Sequence, residues 1–372
     1  MTNVIIVDVK GVITKSGPDV LFRHDQYADA LARLDSESKL IILSRNKGRY
    51  HRLSKNIEII SEKSLLNYFR IGVKLLRSLN ENTLLVSGDP WESYLASLIL
   101  RKITSRYLPI QVQLHADVGS SSWRNMNWRN QIRSFFLSYS LNRAEIIRCV
   151  SESQLTNLER ISPGVSSKTE VIPVPIKIDP NLSQKRKSHK NISIAIVGRI
   201  HKDRGLEEFV RICKILRRNF QELKIFIVGE GPHEDWLKNS LGKANLLQCS
   251  LFMGYRNQEE LSFLWETFGC LASLAPSEAF GRSAREALMY GVPVLAKRSS
   301  GLSELETGYS GNGIWFVDRL SENQISNLFD DMTGFVVPNS IGKAIIKEVK
   351  SLHEELAKSW IEGSKLNRKL QK

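Results

Sequence analysis

The stretch 276–294 places two carboxylates eight positions apart: Glu278 before a turn containing Gly281, and Glu286 inside a helical segment that ends at Gly291. If the whole span were helical, a rise of about 1.5 Å per residue would separate them by about 12 Å. That is too far for the paired carboxyls of a retaining glycosidase, which stand roughly 5 to 5.5 Å apart. The spacing suits two ends of one extended ligand, with the free amides of a helix start between them facing an anion. Three more loops follow predicted strand ends. In the stretch 198–205, Arg199 and Arg204 flank a turn that opens a helix, and both guanidinium forks and helix N-terminal amides suit phosphate oxygens. Taken alone, that loop also reads as a solvated turn. Gly229-Glu230-Gly231-Pro232 lets backbone approach a ligand and starts the next helix at the proline. Gly254-Tyr255-Arg256 offers backbone groups to a flat base, or is an ordinary strand-to-helix turn.

The elements that must position these loops alternate in type. Short apolar runs rich in β-branched residues are predicted as strands at 3–9, 39–44, 83–87, 110–114, 146–150 and 170–172, and again at 192–197, 224–228, 250–253, 270–273, 292–296 and 314–317. Helical periods separate them. This alternation is the pattern of parallel sheets covered by helices, so the fold class is α/β with two doubly wound Rossmann-like domains facing across a cleft. The expected organisation is a first domain over 1–178, a basic linker over 179–190 containing Lys185, Arg186 and Lys187, a second domain over 191–340, and C-terminal helices over 341–372 packing back toward the first domain.

Composition bounds the partners. Lys plus Arg is 53 against 39 for Asp plus Glu, a net charge of +14 that favours anionic partners. No zinc-finger spacing, aromatic RNA-binding strand or heptad after a basic region supports a nucleic-acid module. Cys149, Cys213, Cys249 and Cys270 stand singly in or beside apolar segments, which predicts buried, reduced thiols. Apolar runs are broken well short of the roughly 20 residues needed to span a bilayer, and no export signal opens the chain; the expected location is cytoplasmic. Two basic stretches invite a peripheral contact with an anionic membrane. The stretch 63–79 interleaves Arg70, Lys74 and Arg77 with Leu66, Phe69, Val73 and Leu76, as either a surface helix or a core-facing one. The stretch 123–136 joins Trp123, Trp128, Phe135 and Phe136 to Arg124, Arg129 and Arg133; it either receives a lipid-linked sugar or packs on a neighbouring helix.

The order and spacing of the four loops resemble the donor domain of the family 4 retaining glycosyltransferases, which have the two-Rossmann GT-B fold. The resemblance is carried by Val197-Gly198-Arg199 with Arg204-Gly205, Val228-Gly229-Glu230-Gly231-Pro232, Phe252-Met253-Gly254, the E-x7-E element from Glu278 to Glu286, Gly291-Val292-Pro293-Val294, and Ser300-Gly301-Leu302-Ser303-Glu304. The first half is looser, through 112–117, 149–152 and 171–173.

By this resemblance Arg199 and Arg204 bind the donor diphosphate, with Arg204 replacing the family's usual lysine. Glu286 holds the ribose hydroxyls, Glu278 the donor sugar, and His115 faces the transferred sugar. Gly17, Gly198, Gly231, Tyr255, Arg256, Phe280, Gly281 and Arg282 complete the expected donor contacts, although Gly11 and Gly17 do not form the family's glycine pair. The implied reaction is metal-independent, retaining transfer from a nucleotide diphosphate sugar, UDP- or GDP-linked, to a hydroxyl of a glycan or lipid-linked saccharide in surface polysaccharide or lipopolysaccharide assembly. The nucleotide sugar is a co-substrate and no cofactor is expected. A non-catalytic nucleotide-binding GT-B protein and a nucleotide-sugar epimerase are the alternatives.

Overall fold

A computed structural model describes residues 1–15, 18–47, 51–52, 54–178, 192–308, 313–333 and 335–366. The chain divides into two units, Met1–Pro173 with Ser351–Lys372, and Val174–Lys350. The expected tail is therefore split between them. The predicted linker over 179–190 and the candidate Gly17 lie outside the described residues.

In the first unit the order is β1 (Asn3–Asp8), α1 (Val12–Lys15), α2 (Pro18–Leu34), β2 (Lys39–Ser44), β3 (His51–Arg52), β4 (Ile57–Ser61), α3 (Leu65–Ser78), β5 (Thr83–Ser87), α4 (Glu92–Thr104), β6 (Ile110–Gln113), α5 (Ser121–Asn125), α6 (Trp128–Arg143), β7 (Ile146–Cys149), α7 (Glu152–Ile161) and β8 (Thr169–Val171). These strands form one sheet in the order β3-β4-β2-β1-β5-β6-β7-β8, parallel except for the two-residue β3. β1 and β5 are buried at every position, which explains their unbroken apolar runs: helices cover both faces, so no alternation is required. The apolar pattern does not announce β4, where Glu58 interrupts the isoleucines; Ile57 and Ile59 are fully buried while Glu58 and Ile60 are half-buried.

The second unit contains β9 (Ser193–Val197), α8 (Leu206–Asn219), β10 (Lys224–Val228), α9 (Glu234–Lys243), β11 (Ser250–Gly254), α10 (Gln258–Leu264), β12 (Cys270–Ser273), α11 (Arg282–Met289), β13 (Val294–Ala296), α12 (Ser300–Gly308), β14 (Ile314–Phe316), α13 (Glu322–Met332) and α14 (Asn339–Val349). Its sheet runs β11-β10-β9-β12-β13-β14, with every pair parallel. α8 shows how sequence selects a face. Leu206, Phe209, Ile212, Cys213, Ile215 and Leu216 recur at helical spacing and are buried, while Glu207 and Glu208 sit in the first turn and Arg217 and Arg218 in the last, complementing the helix dipole.

The last helix, α15 (Leu352–Ser364), returns to the first unit and packs on α2. Trp360 is buried and donates through Nε1 to Gln111 Oε1 at 2.9 Å, while Gln111 Nε2 donates to Ser359 Oγ at 2.7 Å. Among the described residues, no helix is long and apolar enough to cross a membrane.

Candidate functional site

The strand order of the second sheet reverses between β9 and β12. In open α/β sheets, ligands bind at such a switch point, outside the carboxyl ends of the strands. A pocket lies there, lined by Val197, Gly198, Arg199, Arg204, Ser273 and Glu278 among others. Three of the four loops singled out in the sequence are laced together beyond the strand ends. Gly198 N donates to Val228 O and Ile200 N to Glu230 O, both at 2.9 Å, and Gly229 N donates to Gly254 O at 2.8 Å. Gly229 has φ of 128°, and a Cβ there would stand 2.0 Å from the Gly198 carbonyl oxygen, so only glycine allows this approach.

The two arginines of the first loop differ. Arg199 is 61% exposed, with Nη2 3.7 Å from Asp203 Oδ2. Arg204 donates through Nη1 to Glu278 Oε2 at 2.7 Å, joining the loop after β9 to the loop after β12. Helix α11 begins at Arg282, so Glu278 lies in the loop before it and only Glu286 is helical. The fully helical span behind the 12 Å figure does not form. Glu278 also accepts from Gly281 N through Oε1 at 3.3 Å, and its main-chain carbonyl accepts from Gly301 N at 2.8 Å. Glu286 is buried; its Oε1 accepts from Arg282 Nε at 2.9 Å, and Arg282 Nη2 donates to Gln258 Oε1 at 2.5 Å. Arg282 is thus engaged in orienting Glu286.

Beneath the loop lies Arg285, which is buried. Its guanidinium carbon sits 3.8 Å from the centre of the Phe280 ring, Nη1 donates to the carbonyls of Phe280 and Gly301, and Nη2 and Nε lie 3.7 Å from Glu304 and 3.3 Å from Glu348. Phe280 is buried as a whole, and its carbonyl accepts from Arg285. Gly301 completes the support: a Cβ there would stand 2.4 Å from Phe280 N and 2.5 Å from Ala279 O. At the opposite rim Tyr255 is exposed, its amide donating to Glu230 Oε1 at 3.2 Å, and Arg256 lies 3.7 Å from Glu260. A Cβ at Gly231 would stand 2.2 Å from the Ile200 carbonyl oxygen, so this glycine packs the second loop against the first.

In the first unit the switch point falls between β1 and β5. The buried Asp8 carboxylate accepts from Val12 N (2.8 Å), Ile13 N (3.1 Å) and Ser44 Oγ (3.0 Å), capping α1; desolvation outweighs these bonds and raises its pKa. Lys10 reaches Glu92 at 2.7 Å and Asp89 at 3.5 Å, bridging the two loops. His115, just past β6, has Nε2 3.1 Å from Gln113 Oε1, which also accepts from Arg148 Nη1 at 3.4 Å. An oxygen that accepts from Arg148 favours Nε2–H on His115 and leaves Nδ1 as an acceptor. Desolvation and the positive charges of Arg148, Arg23 and His24 lower its pKa to about 3, although the residue retains exposed surface. The fixed guanidinium groups support the direction, a neutral ring at pH 7.

Cys149, Cys213 and Cys270 are buried and Cys249 half-buried, all as free thiols; burial pushes the Cys270 thiol up to about 12. The sequence motifs assign no role to Gln258, nor do they reveal the support that Arg285 and Gly301 provide. The signal available for Arg285 is a charged residue one position before Glu286 on a helix with a buried face.

Residues 178–333 match the family described as Glycosyl transferases group 1. An uncharacterized glycosyltransferase of Methanocaldococcus jannaschii is 30% identical over 151 residues, 38% of this chain and 38% of that relative. The amylovoran biosynthesis glycosyltransferase AmsK of Erwinia amylovora is 29% identical over 34% of this chain and 32% of its own length. These alignments thus span about a third of the curated relatives. Among solved structures, sucrose-phosphate synthase from Thermosynechococcus elongatus superposes with a TM-score of 0.73 at 17% identity, covering 100% of this chain and 99% of that one. Anabaena HepE in complex with UDP and glucose superposes at 0.70 and 16% identity, covering 96% and 99%. The architecture, two parallel-sheet Rossmann-like domains, is that of GT-B glycosyltransferases.

Proposed function

We propose that the protein is a retaining glycosyltransferase of the E-x7-E class, moving a sugar from a UDP- or GDP-sugar to a hydroxyl of a glycan or lipid-linked saccharide in surface polysaccharide assembly. One observation carries the reading: Arg199, Arg204 and Glu278 converge at the switch point of the second sheet, with Glu286 oriented by Arg282 at the far side of the same loop. The match of residues 178–333 to Glycosyl transferases group 1 supports it.

In this reading Glu286 accepts hydrogen bonds from the ribose hydroxyls, and Arg199 and Arg204 neutralise the diphosphate. The acceptor oxygen attacks the anomeric carbon on the face from which the diphosphate departs. The carbon–oxygen bond to the β-phosphate breaks as the new glycosidic bond forms, and the acceptor proton passes to a phosphate oxygen of the leaving group. Both guanidinium groups bear on the charge that develops there, and preorganised charge of this kind is the largest catalytic contribution in many enzymes. Arg204 must exchange its pairing with Glu278 for the diphosphate, which frees Glu278 to accept from a sugar hydroxyl. His115 is assigned to the transferred sugar on the family resemblance alone. The reading requires no metal, because the arginines supply the positive charge.

The test is thermal unfolding with UDP, GDP and ADP, for the natural protein and for Glu286→Ala. A ligand at 100 times its dissociation constant stabilises by about 2.7 kcal/mol. One nucleotide is expected to raise the midpoint in the natural protein and not in the variant. If no nucleotide binds, or if one binds and its sugar conjugates are turned over without any hydroxyl acceptor, the transferase reading falls.

A further inference from the structure

Helix α6 turns its apolar side the wrong way for a helix packed on a sheet. Trp128, Ile132, Phe135, Phe136 and Tyr139 recur at helical spacing and are 66%, 50%, 80%, 55% and 51% exposed, whereas its inward face buries Asn130, Leu137, Ser140 and Leu141. Five large side chains, four of them aromatic, form one continuous solvent-facing stripe, beyond the scattered apolar exposure normal for a monomer.

The charge carried by this stretch of sequence has one sign. From Val118 to Ala144 the sequence contains Arg124, Arg129, Arg133 and Arg143 and no Asp or Glu. Arg143 lies 3.9 Å from the centre of the Tyr139 ring and Arg129 5.6 Å from the Trp128 ring, so these cations flank the aromatic side chains. Arg133 is held by Glu92 at 2.8 Å, which leaves the other three arginines to act on a partner. Aromatic residues on one face with arginines at its margins suit an interface between water and lipid, where rings enter the headgroup region and guanidinium groups meet phosphates.

We propose that α6 docks the protein onto the surface of a bilayer containing anionic lipid. Charge complementarity favours this occupant over a second copy: a two-fold contact through this face would set the arginine-rich stripe against itself. The other basic stretch does not compete. On α3, Tyr68, Gly72 and Leu76 are buried and Phe69 and Val73 pack against the core, so most of its apolar side is core-facing, with Leu65 and Leu66 of the first turn exposed. The inference concerns a surface of the first unit and stands independently of the transfer reaction.

The experiment is cosedimentation of the full-length protein with vesicles of phosphatidylcholine alone or with about 30% phosphatidylglycerol, enough to set a negative surface potential, at low and high salt. Binding at least about tenfold stronger to the anionic vesicles is expected, with release by salt. Phe135→Ser with Phe136→Ser, and separately Arg129→Gln with Arg143→Gln, should each lower it about tenfold, because the first pair removes apolar area that would enter the headgroup region and the second removes charge that would meet lipid phosphates. Unchanged unfolding midpoints would show that the variants remain folded, since these side chains are exposed. Equal binding to both vesicle types, or binding unaffected by both double variants, overturns the proposal. So does a concentration-dependent dimer that Phe135→Ser with Phe136→Ser dissociates, because the stripe would then belong to a second copy.

Discussion

Arg204 and Glu278, 74 positions apart in sequence, form an ion pair of 2.7 Å across the switch point of the second sheet. The pairing places the expected diphosphate ligand and the expected sugar ligand in contact, each holding the other's charge. Replacing Glu278 with Gln should free Arg204: nucleotide diphosphate should bind as well or more tightly while kcat falls by about a hundredfold or more, the size of effect seen when one transition-state contact is lost. Calorimetric titration beside steady-state kinetics checks this. Weaker nucleotide binding in Glu278→Gln would show that the pair organises the site rather than competing with the ligand.

Arg285 is expected to matter for stability. Removing one partner of a buried ionic cluster costs roughly 3–5 kcal/mol, and Arg285→Leu would leave Glu304, Glu348 and the carbonyls of Phe280 and Gly301 without their shared donor. For a domain of about 150–250 residues each kcal/mol shifts the midpoint by about 2–4 °C, so a fall of roughly 6–20 °C in the second unit is expected by calorimetry. Arg285→Lys should rescue little, because an ammonium cannot both stack on Phe280 and reach the two carbonyls.

Two glycines should respond oppositely to alanine. At Gly301 the added methyl meets main-chain atoms of Ala279 and Phe280 at 2.4–2.5 Å, which must displace the loop bearing Glu278. Gly301→Ala should weaken nucleotide binding at least about tenfold, or about 1.4 kcal/mol. Gly242, within α9, faces open space, and a Cβ there would meet nothing within 4 Å. Gly242→Ala should raise stability by about 0.5–1 kcal/mol through helix propensity, measured by urea unfolding.

Acid should destabilise the first unit before carboxylates titrate. His24 is lowered to about 4, mainly by desolvation and further by Arg23 and Arg148, and His115, although its surface is exposed, is lowered in the same direction beside Arg148 and Arg23. Their unfolded value is about 6.5, so between about pH 6.5 and 4 the unfolded chain binds protons that the folded one refuses. Stability present above about pH 6.5 is therefore lost as pH falls. Urea midpoints at about pH 7, 6 and 5 should decline, and His115→Asn should reduce the slope. An unchanged slope would mean that His115 titrates normally in the folded protein.

Much of this site is legible in local sequence. Gly229 and Gly231 mark places where backbones approach too closely for a Cβ, Gly198 and Gly254 mark strand ends at positive φ, and the apolar runs before Gly198 and Gly229 specify largely buried strands; these demands are set by a few consecutive residues. Their order along the chain is enough to put the loops on one sheet edge. β4 is not legible, because Glu58 breaks a run of five residues that is short for any periodicity to show.

Tertiary structure decides what depends on distant partners. That Arg204 meets Glu278, that Arg282 turns to Glu286 and Gln258, and that Arg285 lies under Phe280 follow from how separate strands and helices are brought together. The helices make the same point. α3 and α6 both mix aromatic, aliphatic and basic residues, but the sheet buries most of the apolar side of α3 and leaves the aromatic side of α6 in solvent. Periodicity defines a helix and its faces; only packing selects which face meets the core.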